Sequence, residues 1–294
     1  MTQTHFTNRA AMQAAKHAEI ERLKHIRAFL LDMDGTFYIG GSLIDGSMRF
    51  LDALRTTGRK AMFLTNNSSR SASAYREKLR RMGVAEDFLN VYTSGNAAAS
   101  VLLEDYPGKR VYALATAELT RELLDAGVNV VTDGADTLLI GYDTSLTYDK
   151  LCIACDLARA GVPYIATHPD FNCPGENGPL PDIGAIIAFI EASTGRKPDM
   201  VIGKPNAGLI HEAIKRLAAS DMSGASDISN IPNISIQTTA MVGDRLYTDI
   251  AAGRNAGVLS ICVLSGEATL KDIEESETKP DLVFDRLSDM IEYF

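Results

Sequence analysis

The sequence predicts an α/β protein: a doubly wound, mainly parallel sheet with helices on both faces, into which a second α/β domain is inserted. Three observations carry this. Short apolar runs that read as buried strands alternate with helical stretches from Ile26 onward. Four of those runs end in polar clusters: Asp32 with Asp34, Thr65 to Arg70, Lys204, and Asp244 with Asp249. Strand carboxyl ends are where open α/β sheets place their ligands. Finally, Thr36 and Thr65 lie 29 positions apart, about one strand–helix crossover, whereas Thr65 and Lys204 lie 139 apart, far more than one crossover needs. The excess is the inserted domain.

In chain order, Met1 to Lys24 reads as a polar helix with a frayed start, with Ile20 and Leu23 packing on the body. Ile26 to Leu31 is the first buried strand, and Ser47 to Thr57 is a helix that Gly58 ends. Lys60 to Leu64 is a second strand, followed by helices over Ala72 to Met82 and Gly95 to Glu104. The pattern then starts afresh: strand Arg110–Ala113, helix Glu118–Ala126, strand Thr137–Tyr142, helix Tyr148–Ala160 and strand Tyr164–Thr167. A loop rich in Pro, Gly and Asn runs from His168 to Pro181, and helix Ile183–Ser193 closes the unit. Met200–Ile202 and Thr239–Val242 are further strands, separated by a Ser-rich connector, Ser220 to Asn233. A helix over Asp249–Asn255 and strands Val258–Leu264 and Leu282–Phe284 complete the chain.

The 294 residues give enough length for a real core, and 46% hydrophobic with 23% charged residues is ordinary for a soluble globular protein. A net charge of −9 argues against a nucleic-acid partner. No apolar run is long enough to span a membrane, and the N-terminal stretch with His5, Arg9, Lys16 and His17 lacks the apolar core of a secretory signal. Cys152 and Cys155 form a C-x-x-C spacing inside a helical stretch, without a second such pair or paired histidines. With Cys173 and Cys262 they read as small buried side chains in a reducing cytoplasm.

The chemistry concentrates at the strand ends. Alternate side chains of an extended segment point the same way, so Asp32 and Asp34 can both face one cleft, unless the chain turns sharply at Gly35. Two adjacent carboxylates repel, so one holds a proton or both need a cation, and a hard divalent ion such as Mg2+ suits oxygen ligands. An EF-hand loop beginning at Asp32 would need Glu at its twelfth position, where Leu43 stands. Thr65-Asn66-Asn67-Ser68 either caps the following helix or supplies neutral donors for a phosphate. Lys204, in Gly203-Lys204-Pro205, is not part of a P-loop, since no G-x-x-x-x-G precedes it. Asp244 and Asp249 either complete a cation site or, for Asp249, start a helix.

Taken together, D-M-D-G-T, T-N-N-S, G-K-P and G-D-x-x-x-x-D resemble, in order and spacing, the four motifs of the haloacid dehalogenase-like phosphohydrolases, over nearly the whole chain from Ile26. The branch resembled is the NagD and 4-nitrophenylphosphatase-like one, whose large α/β cap follows the second motif. Ala166-Thr167-His168-Pro169-Asp170 and Gly195-Arg196-Lys197-Pro198 are similar to it as well, although His168 stands where Asn is usual and Tyr247 where Asp or Arg is common. The resemblance implies a core of 1–108 and 199–294, with 1–24 as an N-terminal extension, and a cap over 109–198. It implies that Asp32 is the nucleophile and a Mg2+ ligand. Asp34 is then the general acid/base and gives Mg2+ its backbone carbonyl, while Asp244 with Asp249 completes the metal site. Thr65, with Asn66 or Asn67, holds the phosphoryl oxygens, Lys204 pairs with Asp32 and the phosphate, and His168 and Asp170 on the cap loop meet the substrate.

The expected reaction is Mg2+-dependent hydrolysis of a small phosphorylated metabolite, of sugar phosphate or aryl phosphate type, through an aspartyl-phosphate. A phosphotransferase or phosphomutase, or a non-catalytic sensor of phospho-ligands, is the alternative. The expected partners are that metabolite and a second copy of the chain through the cap, with neither nucleic acid nor membrane.

Overall fold

The computed structural model describes residues 18–173, 178–222 and 234–294. Residues 18–24 are helical and Leu23 is fully buried; the rest of the expected N-terminal helix and nearly all of the Ser-rich connector lie outside the described residues. Strand β1 is Ala28–Leu31, all four residues buried, and a tight hairpin of β2 (Tyr38–Ile39) and β3 (Ser42–Leu43) follows it. Helix α1 (Ser47–Thr56) leads to β4 (Lys60–Thr65) and α2 (Ala72–Arg81). A short strand that periodicity alone does not reveal, β5 (Val91–Thr93), enters α3 (Ser94–Asp105), where Thr93 and Asn96 form a capping box.

The next stretch alternates as expected: β6 (Val111–Leu114), α4 (Ala117–Asp125), β7 (Thr137–Ile140), α5 (Tyr148–Arg159) and β8 (Tyr164–Ala166). The Pro/Gly-rich loop carries a two-residue antiparallel pair, β9 (Asn172–Cys173) with β10 (Leu180–Pro181), before α6 (Ile183–Thr194). Then come β11 (Met200–Val201), α7 (Gly208–Met222), β12 (Thr239–Gly243), α8 (Ala251–Ala256), β13 (Leu259–Val263), α9 (Leu270–Glu275) and β14 (Leu282–Phe284).

The chain divides into two compact units. The first takes in the chain up to Phe63, Val84–Asn90 and everything from Ile210 on. Its parallel strands run in the order β14-β13-β12-β1-β4. The order reverses direction at β1, with β4 on one side and β12 on the other, which is the switch point of a doubly wound sheet. Buried aromatic side chains fill the space beside it: Phe29 meets Phe50 edge-on at 5.4 Å and Phe37 meets Phe63 at 4.8 Å.

The second unit comprises Leu64–Gly83 and Val91–Leu209. It has its own parallel sheet in the order β11-β8-β7-β6. Its core joins Leu114, Leu138, Ile140 and Tyr164 of the strands to Ala154, Cys155 and Ala158 of α5 and Ile183, Ile186 and Ile190 of α6. Of the C-x-x-C pair expected to be buried, only Cys155 is; Cys152, three positions earlier, falls on the outer face of α5 and is exposed. All four cysteines are free thiols. No helix among the described residues is long and apolar enough to cross a membrane.

Candidate active site

In the first unit, parallel pairing sets Leu31 of β1 beside Val242 of β12, and the Asp32 N–H donates to the Val242 carbonyl at 2.9 Å. The residues that leave these two strands, Asp32 and Asp244, therefore emerge side by side at the switch point. Asp249 joins them by a less regular route. The expected plain helix start is instead a π-helical turn, Leu246–Ile250, in which both Asp249 and Ile250 donate their N–H to the Arg245 carbonyl, at 3.1 and 3.2 Å. The widened turn folds the Asp249 carboxylate back over Gly243, where an added Cβ would overlap it. Carboxylate oxygens of Asp32, Asp244 and Asp249 then all lie within 4.8 Å of one another.

Asp244 is held on two sides: Thr36 Oγ1 donates to its Oδ1 at 3.2 Å and the Glu267 N–H to its Oδ2 at 2.8 Å. Gly35 and Gly266 stand so close that a Cβ on either would run into that carboxylate. Burial, and next the charge of Asp249, push the Asp244 carboxyl up to about 6. Burial alone would make Arg245 easier to deprotonate, but Asp32, Asp244 and Asp249 outweigh it and hold the guanidinium firmly charged. Its Nε sits 3.0 Å from Glu267 Oε2. Such a set of clustered carboxylate oxygens fits a hard divalent cation. The Asp34 side chain is not one of the three; its backbone bridges to Tyr38, and the Gly35 carbonyl accepts from Ser265 Oγ at 2.8 Å.

In the second unit, Thr65 ends β4 and its Oγ1 accepts from the Asn67 N–H at 3.1 Å. Asn67 Oδ1 accepts from the N–H and Oγ of Ser69, at 2.9 and 2.7 Å, in an Asx-type turn. Helix α2 is capped by Ser71, whose side chain accepts from the Ala74 N–H at 3.2 Å. Thr65, Asn66 and Asn67 are thus not needed as caps.

Asn66 and Lys204 are both buried and bonded to each other through the Asn66 amide and the lysine backbone; Lys204 Nζ donates to the Leu64 carbonyl at 3.4 Å. Asn66 Nδ2 also reaches both oxygens of Asp170 at 3.2 Å. Burial pushes the Asp170 carboxyl above its usual range, against the pull of the Asn66 hydrogen bond and the Lys204 charge. His168 is fully buried, its Nδ1 3.0 Å from Thr167 Oγ1 and its Nε2 3.1 Å from Asp182 Oδ1. Asp182 escaped the sequence reading, although an Asp directly before an apolar run is an N-cap signature. It does cap α6, accepting from the Ile183 N–H at 2.6 Å.

Two family models match the chain: a haloacid dehalogenase-like hydrolase over residues 29–129 and a related HAD hydrolase-like model over 201–290. The acid sugar phosphatase of Staphylococcus aureus (strain USA300) is 36% identical over 270 residues, 92% of this chain and 98% of the relative. Among solved structures, a 4-nitrophenylphosphatase from Thermotoga maritima superposes with a TM-score of 0.82 at 45% identity, covering 92% of this chain and 98% of that one. A glycerol phosphate phosphatase from Mycobacterium tuberculosis, in complex with magnesium, reaches 0.80 at 29% identity, covering 92% and 78%. The chain therefore belongs to the haloacid dehalogenase-like hydrolases, in their NagD and 4-nitrophenylphosphatase-like branch, and is a phosphatase.

Proposed function

We propose that this phosphatase hydrolyses small phosphomonoesters, sugar phosphates and aryl phosphates, with Mg2+, through an aspartyl-phosphate on Asp32. The observation that carries the reading is the trio Asp32, Asp244 and Asp249, carboxylates gathered within 4.8 Å at the sheet's switch point. The substrates named for the Staphylococcus, Thermotoga and Mycobacterium relatives, and the magnesium held by the last, support the same assignment.

In this mechanism an Asp32 carboxylate oxygen attacks phosphorus and the bond from phosphorus to the leaving oxygen breaks. Asp34 gives its proton to that oxygen, then takes one from the water that attacks the phosphoryl group and releases Asp32. Thr65 and Lys204 hold the phosphoryl oxygens, and phosphoryl transfer asks mainly for such positioning and charge neutralisation. Asp32, Asp244 and Asp249, with the Asp34 carbonyl, hold the Mg2+, which when bound offsets the negative charge that meets at the phosphoryl group. Asn66, Asn67, His168 and Asp170 shape recognition: Asn67 through its amide, and Asn66 and His168 through the buried bonds by which they hold their neighbours.

The division into a core of 1–108 and 199–294 and a cap of 109–198 belongs to the same reading, as does a reducing cytoplasmic setting for the four free thiols. A homodimer through the cap is supported by a groove of about 470 Å3 edged by Leu146, Leu180 and Phe189, each well exposed; sedimentation at several concentrations tests it. The central test is Mg2+-dependent hydrolysis of 4-nitrophenyl phosphate and a panel of phosphorylated metabolites by the purified protein. An absence of turnover on all of them overturns the reading.

A further inference from the structure

Ser68, Thr167 and Asp182, which have no part in the proposed chemistry, form a chain of buried polar side chains with His168 in the second unit. The Tyr142 N–H donates to Ser68 Oγ at 2.9 Å, Ser68 Oγ lies 3.0 Å from Thr167 Oγ1, and Thr167 Oγ1 lies 3.0 Å from His168 Nδ1. His168 Nε2 in turn lies 3.1 Å from Asp182 Oδ1. Ser68, Thr167 and His168 are fully buried and Asp182 nearly so.

The chain has a direction, because its first link is fixed. A backbone N–H only donates, so Ser68 accepts from Tyr142 and has its own proton left to give. That proton goes to Thr167, the Thr167 proton goes to His168 Nδ1, and the remaining ring proton sits on Nε2 and goes to Asp182. Reversing the links strands the Ser68 hydroxyl proton without an acceptor among the bonds described here. Moving the ring proton to Nδ1 alone turns a lone pair on the Asp182 carboxylate. In a buried network either fault costs the desolvation of the unpaired group.

The relay closes on the neck of the loop 169–181. His168 stands directly before that loop and Asp182 directly after it. The neck is tied further by the Asp182 N–H to the Phe171 carbonyl at 2.9 Å and the Gly184 N–H to the Asp170 carbonyl at 2.8 Å. Gly184 lies too near the Pro169 and Asp170 carbonyls to carry a Cβ. The other end of the relay, Ser68, belongs to the segment that begins with Thr65. We infer that Thr167 and Asp182 are positioning residues: through Ser68 and His168 they lock the neck of loop 169–181 to the Thr65–Ser68 segment, with His168 held as the Nε2–H tautomer. The kinetic consequence rests on the phosphatase reading; the tautomer does not.

The test uses the full chain labelled with 15N in its histidine rings, with His168 assigned through its backbone. The expected spectrum has a protonated Nε2 and a bare Nδ1 for His168; a proton on Nδ1 instead overturns the relay. Thr167→Val removes the donor to Nδ1 while Asp182 still accepts from Nε2. The ring is expected to keep its Nε2 proton, the Nδ1 resonance to move to that of an unbonded ring nitrogen, and KM for sugar phosphates to rise roughly fivefold or more, with the smaller share of the change in kcat. Thr167→Ser, which keeps the hydroxyl, should restore both the Nδ1 resonance and KM. Wild-type KM together with an unchanged Nδ1 resonance in Thr167→Val overturns the inference. Ser68→Ala cuts the relay one bond upstream and carries the same test if Thr167→Val does not fold. Wild-type protein inactive on every phosphomonoester sinks the phosphatase reading alone, and the ring spectrum still decides the relay.

Discussion

Asn66 satisfies both backbone polar groups of Lys204, 138 positions away: its Nδ2 donates to the lysine carbonyl at 2.9 Å and its Oδ1 accepts from the lysine N–H at 2.8 Å. A side-chain amide thus acts as one rung of a ladder, fixing the lysine backbone while leaving Nζ to other partners. Gly203 makes this approach feasible, since a Cβ there would come within 2.5 Å of Asn66 Oδ1 and 2.8 Å of the Thr167 carbonyl.

Asn66→Ala is therefore expected to act first on stability. It removes the Asn66 partner of both the N–H and the carbonyl of a buried lysine and takes a donor from Asp170, at a cost of about 2–4 kcal/mol. The urea midpoint measures this; a loss confined to activity, with an unchanged midpoint, would show that Asn66 is not a structural rung.

Asp32→Asn should reduce turnover to background while leaving the denaturation midpoint at or above wild type. The amide cannot attack phosphorus, and the change removes one of three crowded carboxylates. Purified variant with wild-type turnover would end the covalent mechanism. Asp34→Asn should be impaired most on sugar phosphates and least on 4-nitrophenyl phosphate, whose leaving group hardly needs a proton. Equal losses on both would remove Asp34 from the acid role.

Chelation should stop turnover and Mg2+ should restore it, whereas Ca2+ should bind and support little activity. Ca2+ takes more ligands at longer distances and so seats the phosphoryl group differently. Calorimetry separates binding from turnover, and full activity in excess chelator would refute the cation site.

Gly266→Ala probes the wall behind Asp244. Its added methyl would meet the carboxylate directly, so Asp244 must move. The expected result is Mg2+ affinity lowered roughly tenfold or more, in line with the cost of disturbing a ligand's support, with the secondary structure intact by circular dichroism. Unchanged affinity would mean that Asp244 is not a ligand.

Asp170 makes stability depend on pH. Its carboxyl titrates above the usual 3.8 in the folded protein because it is buried. A raised folded value means the folded state binds the proton more tightly than the unfolded one. The stability this adds is complete below the unfolded value and is lost as pH rises through the folded one. Asp170→Asn has no such proton, so its melting temperature relative to wild type should climb with pH across that interval. A difference that stays constant with pH would contradict the burial argument.

Local patterns in the sequence determined much of this protein. Apolar runs placed β1, β4, β7, β8 and β12 to within a few residues, because a buried parallel strand has to be apolar on both faces. Asp32, Thr65, Lys204 and Asp244 could be found because each stands at or just beyond the end of such a run. What tertiary structure decided is which of these residues meet. Pairing of β1 with β12 joined Asp32 to Asp244 across more than two hundred positions. Only the π-turn, a backbone irregularity with no side-chain signature, brought Asp249 to them in place of the plain helix start that periodicity suggests. The facing of α5 separated Cys152 from Cys155, and the capping of α6 drew Asp182 to His168. Periodicity reports whether a residue lies on a buried face; the partner it finds there depends on strand register and helix ends, which are settled by contacts between segments far apart in the chain.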